Sequence, residues 1–205
     1  MFFSFISNLK AKSNRSRLKE KEFEFLFEED NSGEYVVFDT ETTGLNPKKD
    51  EILSIGAVKI KDNKIITSQT FEVFIKNTGE ISSKSIEIHR IRPIDLENGE
   101  STEVAIREFL NFIGSRPLIG YYLEFDVNMI NKYIKPMLGI TLPNKKIEVS
   151  EIYYDKTISS VAQGNVDLRF DTILQKCNIP DMGAHNAVND AIMTAMIYLK
   201  LTKER

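Results

Sequence analysis

Two acidic side chains, Asp39 and Glu41, directly follow an apolar run at residues 35–38 of this 205-residue chain. Alternate residues of a strand point to the same side of a sheet, so both carboxylates are predicted to face one place. Adjacent carboxylates repel each other, and a divalent cation relieves that repulsion because Mg²⁺ and Mn²⁺ prefer carboxylate oxygens. Most Asp-x-Glu pairs are merely solvated surface, but the position at a strand end, before the Thr-Thr-Gly of residues 42–44, strengthens the metal-site hypothesis.

A third acid, Asp126, follows a second short apolar strand, predicted over residues 117–121, and opens a predicted helix. This order places Asp126 at the edge of a sheet as well, where it is a candidate to join the first two carboxylates. A structural alternative stays open, because the helix dipole favours an aspartate in the first turn of a helix without any role in binding.

His185 and Asp190 form the third candidate group. His185 directly precedes an alanine-rich helical pattern, so it is predicted on a loop or first turn, where it can move. Asp190 lies a little over one turn into that helix, which brings its carboxylate near the histidine. The alternative is a histidine that caps the helix and an aspartate in a surface pair. The other histidine, His89, precedes residues 90–93 and is predicted to be a loop residue without a catalytic role.

Strands that would position the first acids follow from the distribution of β-branched residues. The run at residues 35–38 predicts a buried strand. Residues 52–60 and 65–75 are rich in β-branched side chains around the turn at residues 61–64, which predicts an antiparallel hairpin. Three consecutive strands therefore precede the helical half of the chain.

Helices dominate the second half of the predicted fold. Ser101 is a capping residue before apolar positions that recur at helical spacing from residue 104 to residue 113. Residues 125–138 and 186–199 have the same periodicity, and shorter helices are predicted near 150–157 and 167–177. With the strand at residues 117–121 between them, these elements predict an α/β fold with a mixed sheet covered by helices.

The first 33 residues differ from the rest of the chain. A basic block at residues 10–21 is followed at once by an acidic block at residues 22–30, which indicates helices that are exposed or pair with each other. This segment is either a docking arm, for a partner subunit, a second copy or the nucleic-acid backbone, or a helical extension packed on the domain, and we favour the second. We predict a charged helical extension over residues 1–33 and one domain over residues 34–205.

Composition limits the classes of function. The chain is 41% hydrophobic and 28% charged with a formal net charge of −3, which argues against a protein that coats nucleic acid through a broad basic surface. An enzyme that grips one strand end stays compatible, because bound cations can supply positive charge. The single cysteine, Cys177, excludes an intramolecular disulfide and a cysteine-based metal cluster and is expected in the core. The apolar start of residues 1–6 is far below the roughly 20 residues of a membrane span, so we expect a cytoplasmic protein without membrane association.

Taken together, these residues resemble the DnaQ-like 3′–5′ exonucleases, in the branch with an Asp-Glu-Asp-Asp metal site and a catalytic histidine (DEDDh). The first motif is the Phe-Asp-Thr-Glu-Thr-Thr-Gly-Leu of residues 38–45, the second contains Asp126 after a phenylalanine, and the third contains His185 and Asp190. Residues 53–58 and 88–91 are also similar to that family's core. The resemblance covers about residues 34–200 in the family's order, and the joint occurrence of the motifs makes it specific.

The resemblance implies a ribonuclease-H-like mixed sheet, with three antiparallel strands and then parallel strands, flanked by helices. It also implies two divalent cations, Mg²⁺ or Mn²⁺, that stabilise the attacking and leaving oxygens of an in-line displacement. Asp39 would bridge both ions, Glu41 and Asp190 would help to hold one, and Asp126 would support the other directly or through water. His185 would take a proton from the attacking water, because an ordinary histidine titrates near neutral pH. The expected product is a nucleoside 5′-monophosphate.

Contacts to the substrate are where this chain departs from the family's pattern. Thr42 and Leu45, by their motif positions, would contact the terminal nucleotide. The family usually carries His-Asn shortly before the second-motif aspartate, with the asparagine on the substrate, whereas this chain has Tyr121 and Tyr122. Tyr122 is therefore a candidate substrate contact that stacks on a base. The alternative, in which both tyrosines pack in the core, stays open.

Three functions compete at this stage. We expect a free-standing exonuclease that acts on the 3′ ends of DNA, single-stranded DNA in particular. The first alternative is an exonuclease of RNA or short oligonucleotides. The second is a non-enzymatic class, a binding module or a proofreading-type accessory subunit that acts through a polymerase partner. Replicative proofreading subunits of this family carry a further tail that binds the polymerase, whereas this sequence ends directly after its last predicted helix, which favours the free-standing enzyme.

Overall fold

A five-stranded sheet with strand order β3-β2-β1-β4-β5 lies at the centre of the protein. The structure is a computed structural model that describes residues 11–77, 79, 81–158, 165–183 and 185–203, the side chain of Lys84 excepted. The predicted apolar start of the chain therefore lies outside the described residues. The strands are β1 (Glu34–Thr42), β2 (Ile52–Lys61), β3 (Lys64–Phe74), β4 (Leu118–Gly120) and β5 (Lys146–Glu148).

The direction of the strands confirms the predicted ribonuclease-H-like arrangement. The first three strands are antiparallel to each other, and β4 and β5 run parallel to β1. The β2–β3 hairpin turns through Asp62 and Asn63, whose φ angles of 49° and 57° lie in the left-handed region that a tight two-residue turn requires. Aspartate and asparagine tolerate that region better than other non-glycine residues, which fixes the turn at this position.

Six α-helices that lie wholly within the described part of the chain flank the sheet. The helices predicted from periodicity are present. The helix over residues 102–113 begins after Ser101, whose hydroxyl accepts the Val104 N–H at 3.3 Å. Three elements were not predicted: β5, the helix that His89 ends and the 3-10 helix at Pro93–Leu96. The helices are α1 (Ser83–His89), α2 (Thr102–Ile113), α3 (Leu123–Leu138), α4 (Val149–Thr157), α5 (Phe170–Lys176) and α6 (Ala187–Lys203), with 3-10 helices at Lys21–Phe27 and Pro93–Leu96.

Apolar side chains fill both faces of the sheet. Val36 and Phe38 of β1 pack on one face with α2 and α3, whereas Val37 packs on the other with α4, α5 and α6. This alternation is the expected consequence of a strand covered on both sides. Cys177, at the end of α5, is buried in the second face, as expected. Among the described residues, no helix is long and apolar enough to cross a membrane.

The described part of the N-terminal segment lies against the first face of the sheet. Phe23 and Leu26 are each only 2% exposed and belong to the same core as α2 and α3. The Lys19 N–H donates to the carbonyl oxygen of Leu138, the last residue of α3, at 3.0 Å. Residues 11–27 therefore contact the domain through both apolar burial and backbone hydrogen bonds.

Candidate active site

The end of β1 divides the acidic residues between the two faces of the sheet. Asp39 and Glu41 share the face of β1 to which Val37 points, whereas Thr40 points to the opposite face. The face of Val37 is covered by α6, which carries Asp190, and the face of Thr40 is covered by α3, which carries Asp126. The alternation of β1 thus places acids from two helices around one strand end.

Gly56 allows α6 to approach this strand end. It pairs with Asp39 across β1 and β2, and a Cβ atom at Gly56 would lie 2.2 Å from the Ala187 carbonyl carbon and the Val188 nitrogen. The first turn of α6 therefore lies directly on the backbone of β2. A side chain at residue 56 would push α6, and Asp190 with it, away from the sheet.

Three carboxylates meet between β1 and α6. One carboxylate oxygen from each of Asp39, Glu41 and Asp190 lies within 4.8 Å of the others. Asp190 Oδ1 is buried and has no hydrogen-bond partner among the described residues. An acceptor without a donor, beside two further carboxylates, fits a divalent cation, because hard oxygen ligands of this kind are what Mg²⁺ and Mn²⁺ bind.

The electrostatics of the cluster agree with a missing positive charge. Burial, then the charges of Asp190 and Asp126, raise the pKa of Glu41 to about 8. Burial and the neighbouring carboxylates, Asp126 first, raise the pKa of Asp39 well above its ordinary range. Burial also raises the pKa of Asp190 to about 6, against the opposing effect of a hydrogen bond from the His185 backbone. Without a cation, Asp39 and Glu41 resist ionisation at neutral pH, and Asp190 ionises less readily than an ordinary aspartate.

Asp126 lies apart from this cluster and is held by β1 itself. It is 3% exposed, and its Oδ1 accepts the Thr40 backbone N–H at 3.1 Å and the Thr40 hydroxyl at 2.5 Å. Burial raises the pKa of Asp126 to about 7, while the two bonds from Thr40 oppose that rise. The contact between Asp126 and Thr40 joins residues 86 positions apart, and it accounts for the aspartate more fully than the helix dipole does.

His185 lies on the loop directly before α6, as predicted from the sequence. It is exposed and has a left-handed backbone with φ 69°, and its backbone N–H donates to Asp190 Oδ2 at 3.0 Å. The amide of Asn189 donates to the carbonyl oxygens of Met182 and Gly183 at 2.9 and 3.3 Å. The first turn of α6 therefore holds the loop that carries the histidine, through hydrogen bonds between side chains of the helix and the backbone of the loop. Sequence spacing did not reveal these bonds.

One cavity of about 570 Å³ contains all the candidate residues, a volume within the usual range of small-ligand pockets. Leu45 is 86% exposed at the cavity, and the Thr42 hydroxyl donates to the Gly44 carbonyl oxygen at 2.8 Å, which fixes the first-motif loop. The predicted residues that line the cavity are Asp39, Glu41, Thr42, Leu45, Tyr122, Asp126, His185 and Asp190.

His89 corrects one prediction from the sequence. It is the last residue of α1 rather than a loop residue, is 4% exposed and lines the same cavity. Its Nδ1 accepts the Ile91 N–H at 3.0 Å, so a neutral ring carries its proton on Nε2, which is buried without a partner among the described residues. Burial, then the nearby charge of His185, lowers the pKa of His89. The signal for this element was the cap at Ser82, whose hydroxyl accepts the Ser85 N–H.

The fold is of the ribonuclease-H-like class, and its acidic site fits divalent cations. The E. coli exonuclease I structure in complex with a dT13 oligonucleotide has the same fold, with a TM-score of 0.69 and 16% identity. That comparison covers 84% of this chain and 41% of exonuclease I.

The chain belongs to the exonuclease family, because the sequence model described as Exonuclease matches residues 36–198. This confirms the DnaQ-like resemblance, and the chain is accordingly a 3′–5′ exonuclease domain. It is 32% identical over 172 residues to the DNA polymerase III PolC-type protein of Thermotoga petrophila. That match covers 82% of this chain and 12% of the PolC-type protein. It is 27% identical over 172 residues to DNA polymerase III subunit epsilon of Aquifex aeolicus, over 84% of this chain and 82% of that subunit. The chain thus spans a small part of the PolC-type relatives.

Proposed function

We propose that this protein removes single nucleotides from the 3′ ends of DNA strands and releases nucleoside 5′-monophosphates. The observation that carries the proposal is the meeting of Asp39, Glu41 and Asp190 at one point, with a buried Asp190 oxygen that lacks a partner among the described residues. A site of this kind has a use for two divalent cations and for a phosphodiester substrate, whose charge the carboxylates alone would repel.

Mg²⁺ or Mn²⁺ is the proposed metal. Asp39, Glu41 and Asp190 would hold one cation, and Asp126, with Asp39, would support the other from the opposite face of β1. When bound, the cations supply stabilisation of the charge on the attacking and leaving oxygens of the displacement. The protein's part is to keep four carboxylates in place, which it does for Asp126 through the two bonds from Thr40.

His185 is proposed as the general base that takes the proton of the attacking water. Its exposed side chain is free to reach solvent, and its backbone is tied to Asp190, one of the proposed metal ligands. The loop therefore couples the position of the base to the position of the carboxylate cluster. This arrangement suits general-base catalysis, in which the base must lie within hydrogen-bond reach of the water.

Thr42, Leu45 and Tyr122 are proposed to contact the nucleotide at the 3′ end. Leu45 presents an exposed apolar side chain at the cavity, which suits contact with a base rather than a phosphate. DNA is the proposed substrate because the relatives reported above are named as DNA polymerase III proteins.

The test is release of mononucleotides from single-stranded oligonucleotides labelled at the 3′ end, with Mg²⁺, with Mn²⁺ and with EDTA. We expect metal-dependent release, none for Asp39→Ala, and faster release from DNA than from RNA of the same sequence. If the purified protein released nothing while a control exonuclease did, the proposed activity would be wrong. Faster release from RNA would instead overturn the substrate assignment and leave the chemistry standing.

A second candidate function is an exonuclease unit that works together with a polymerase. It is favoured by the PolC-type and epsilon relatives, since these are polymerase III proteins. A partner site on residues 1–33 would serve this function, as would self-association through the same segment. A free-standing enzyme should have the same turnover rate per molecule at every protein concentration and without any partner. Activity of the isolated chain, measured across a range of protein concentrations, therefore separates the free-standing enzyme from the unit that needs a partner.

A further inference from the structure

The two tyrosines of the second motif have different surroundings. Tyr121 is half-buried, its hydroxyl donates to the Leu168 carbonyl oxygen at 2.8 Å, and its ring centroid lies 4.9 Å from that of Phe170. Burial raises the pKa of Tyr121 to about 12, so the hydroxyl stays protonated and keeps that bond. Tyr122 is 62% exposed. Tyr121 is therefore a packing residue, whereas packing does not account for Tyr122.

Tyr122 presents its ring at the rim of the active-site cavity. The ring of Tyr121 meets it nearly edge-on, with centroids 4.7 Å apart and planes at 75°, a favourable geometry that supports the Tyr122 ring from one side. Tyr122 lines the same cavity as Asp39 and Asp126. A flat aromatic surface thus stands beside the carboxylates, supported by a second ring and otherwise open.

The backbone of Tyr122 is held in a conformation that a tyrosine rarely adopts. Its φ and ψ angles, 52° and 35°, are left-handed. Glu148 enforces them, because its carboxylate accepts the Tyr122 N–H at 3.1 Å and the Leu123 N–H at 2.8 Å. The Ser150 hydroxyl in turn donates to Glu148 at 2.7 Å. Strained residues that the surroundings hold in place cluster at ligand sites, so this one calls for a function.

The charge of the cavity indicates what that function is. Of the described residues that line the cavity, none is a lysine or an arginine, and its walls are largely apolar. A nucleic-acid strand in this cavity therefore gains affinity from its bases rather than from side-chain contacts to its phosphates. Base stacking on an aromatic side chain supplies such affinity for every base, because every base has a π-face.

We propose that the Tyr122 ring is a stacking platform for an unpaired base at or next to the 3′ end, and that it directs the enzyme to single-stranded ends. This inference rests on the proposed exonuclease function and names the form of its substrate. A base within a duplex is already stacked and paired, so it reaches the platform only after the end has frayed. The platform accordingly selects unpaired ends without selecting a sequence.

Steady-state kinetics on single-stranded DNA test the platform. We expect Tyr122→Ala to raise KM about 5- to 150-fold with little change in kcat, and Tyr122→Phe, which keeps an aromatic ring, to raise KM far less. The matched control is Tyr154→Ala, at a 40% exposed tyrosine of α4 that does not line the cavity. On an oligonucleotide whose last two nucleotides are abasic, wild type and Tyr122→Ala should have the same KM.

A second variant separates binding from stability. Glycine adopts the left-handed region without strain, so Tyr122→Gly should unfold at the same temperature as the wild type or higher, while its KM rises as in Tyr122→Ala. Intact hydrolysis with an unchanged KM in both variants would overturn the platform and leave the proposed function untouched. A KM that rises equally on the abasic oligonucleotide would overturn it as well, because the contact would then not be to a base.

Fluorescence gives a readout that does not depend on hydrolysis. The chain contains no tryptophan, so Tyr122→Trp creates a single reporter, and Tyr154→Trp is its control. With Ca²⁺ as the metal and the oligonucleotide checked for integrity, binding of single-stranded DNA should quench the first reporter, and the abasic oligonucleotide should quench it far less. Quenching in a protein that never releases mononucleotides would refute the proposed function alone, whereas hydrolysis without quenching would refute the platform alone.

Discussion

The four acids of the site differ in what balances their charge. Asp126 accepts hydrogen bonds from the backbone N–H and the hydroxyl of Thr40, and Asp190 accepts one from the backbone N–H of His185. No described residue near Glu41 donates a hydrogen bond to its carboxylate. Burial raises the pKa of Glu41 to about 8, the largest rise among Glu41, Asp126 and Asp190. A cation at this point would therefore be needed most by Glu41 and Asp39, the pair on β1.

The first prediction concerns stability and pH. The carboxyl groups of Glu41, Asp126 and Asp190 have folded-state pKa values near 8, 7 and 6, above their ordinary values. Groups with raised pKa values contribute stability below about pH 4, which is lost as the pH rises through the folded values. The metal-free protein should thus lose stability between about pH 4 and pH 8, and Mn²⁺ should restore more of it at pH 8 than at pH 5.

Thermal unfolding with EDTA and with Mn²⁺, at pH 5 and pH 8, measures this effect. Glu41→Gln is the matched variant, since it keeps the shape of the side chain and removes the titrating group. We expect the metal-free variant to depend less on pH than the wild type. An equal Mn²⁺ effect at both pH values would contradict the assignment of these acids as ligands.

The second prediction concerns the base. His185→Ala should lower kcat by roughly 10²- to 10⁴-fold, because the attacking water loses the group that takes its proton. Stabilisation by Mn²⁺ should persist in the same variant, because the carboxylate cluster is unchanged. Unchanged turnover in His185→Ala would rule out the role of general base.

At the scale of elements, the site depends on how closely α6 approaches the sheet. The carboxylate of Asp190 and the loop of His185 both belong to the beginning of this helix, which contacts β2 at Gly56. α6 and β2 are distant in sequence. The absence of a side chain at Gly56 therefore sets the distance between the carboxylate of Asp190 and the two carboxylates of β1.

The third prediction follows from that contact. Gly56→Ala places a Cβ atom 2.2 Å from backbone atoms of α6, which cannot yield as a flexible side chain can. We expect a loss of several kcal/mol of unfolding free energy, at or beyond the upper end of the roughly 1–3 kcal/mol typical of overpacking, together with loss of activity. Gly79→Ala is the control, because a Cβ atom there would meet only the side chain of Asn77, at 3.0 Å. Wild-type activity and stability in Gly56→Ala would refute the argument.

The sequence predicted elements where the local pattern was long and regular. The three antiparallel strands and the helices α2, α3 and α6 have enough apolar positions for their periodicity to be recognised. The seven residues of α1 and the three of β5 are too few for that, and β5 exists only through parallel pairing with β4. The prediction for His89 was wrong for the same reason, since it depended on recognising α1.

The site was predicted as a set of residue types rather than as a geometry. Motif order brought the four acids and His185 into one hypothesis, and the structure brings them to one cavity. The contacts that hold them lie between distant parts of the chain, such as Thr40 with Asp126 and Gly56 with the first turn of α6. No local pattern encodes such contacts, because each depends on the packing of two complete elements.

At the scale of the whole molecule, the N-terminal segment decides whether the folding unit begins before the first residue of the family match. The family match begins at residue 36, whereas apolar burial begins earlier, at Phe23 and Leu26. Arg107 of α2 lies 5.4 Å from the Phe23 ring centroid and binds the carboxylates of Glu20 and Glu22 at 2.7 and 2.9 Å. The segment thus completes the face of the sheet that α2 and α3 cover, and we propose that it folds together with the domain rather than serving as a separate arm.

The fourth prediction is that removal of residues 1–33 destabilises the domain. Phe23→Ala alone should cost about 3–5 kcal/mol of unfolding free energy, because it leaves a cavity in a buried core. Glu24→Ala is the control within the same segment, at an exposed residue whose pair with Arg15 is a surface ion pair that contributes little to stability. Chemical denaturation of the full chain, the truncated chain and both variants measures these differences. A truncated chain as stable as the full chain would show that the segment is a detachable arm, because a docking arm contributes to binding and not to the stability of the domain from which it extends.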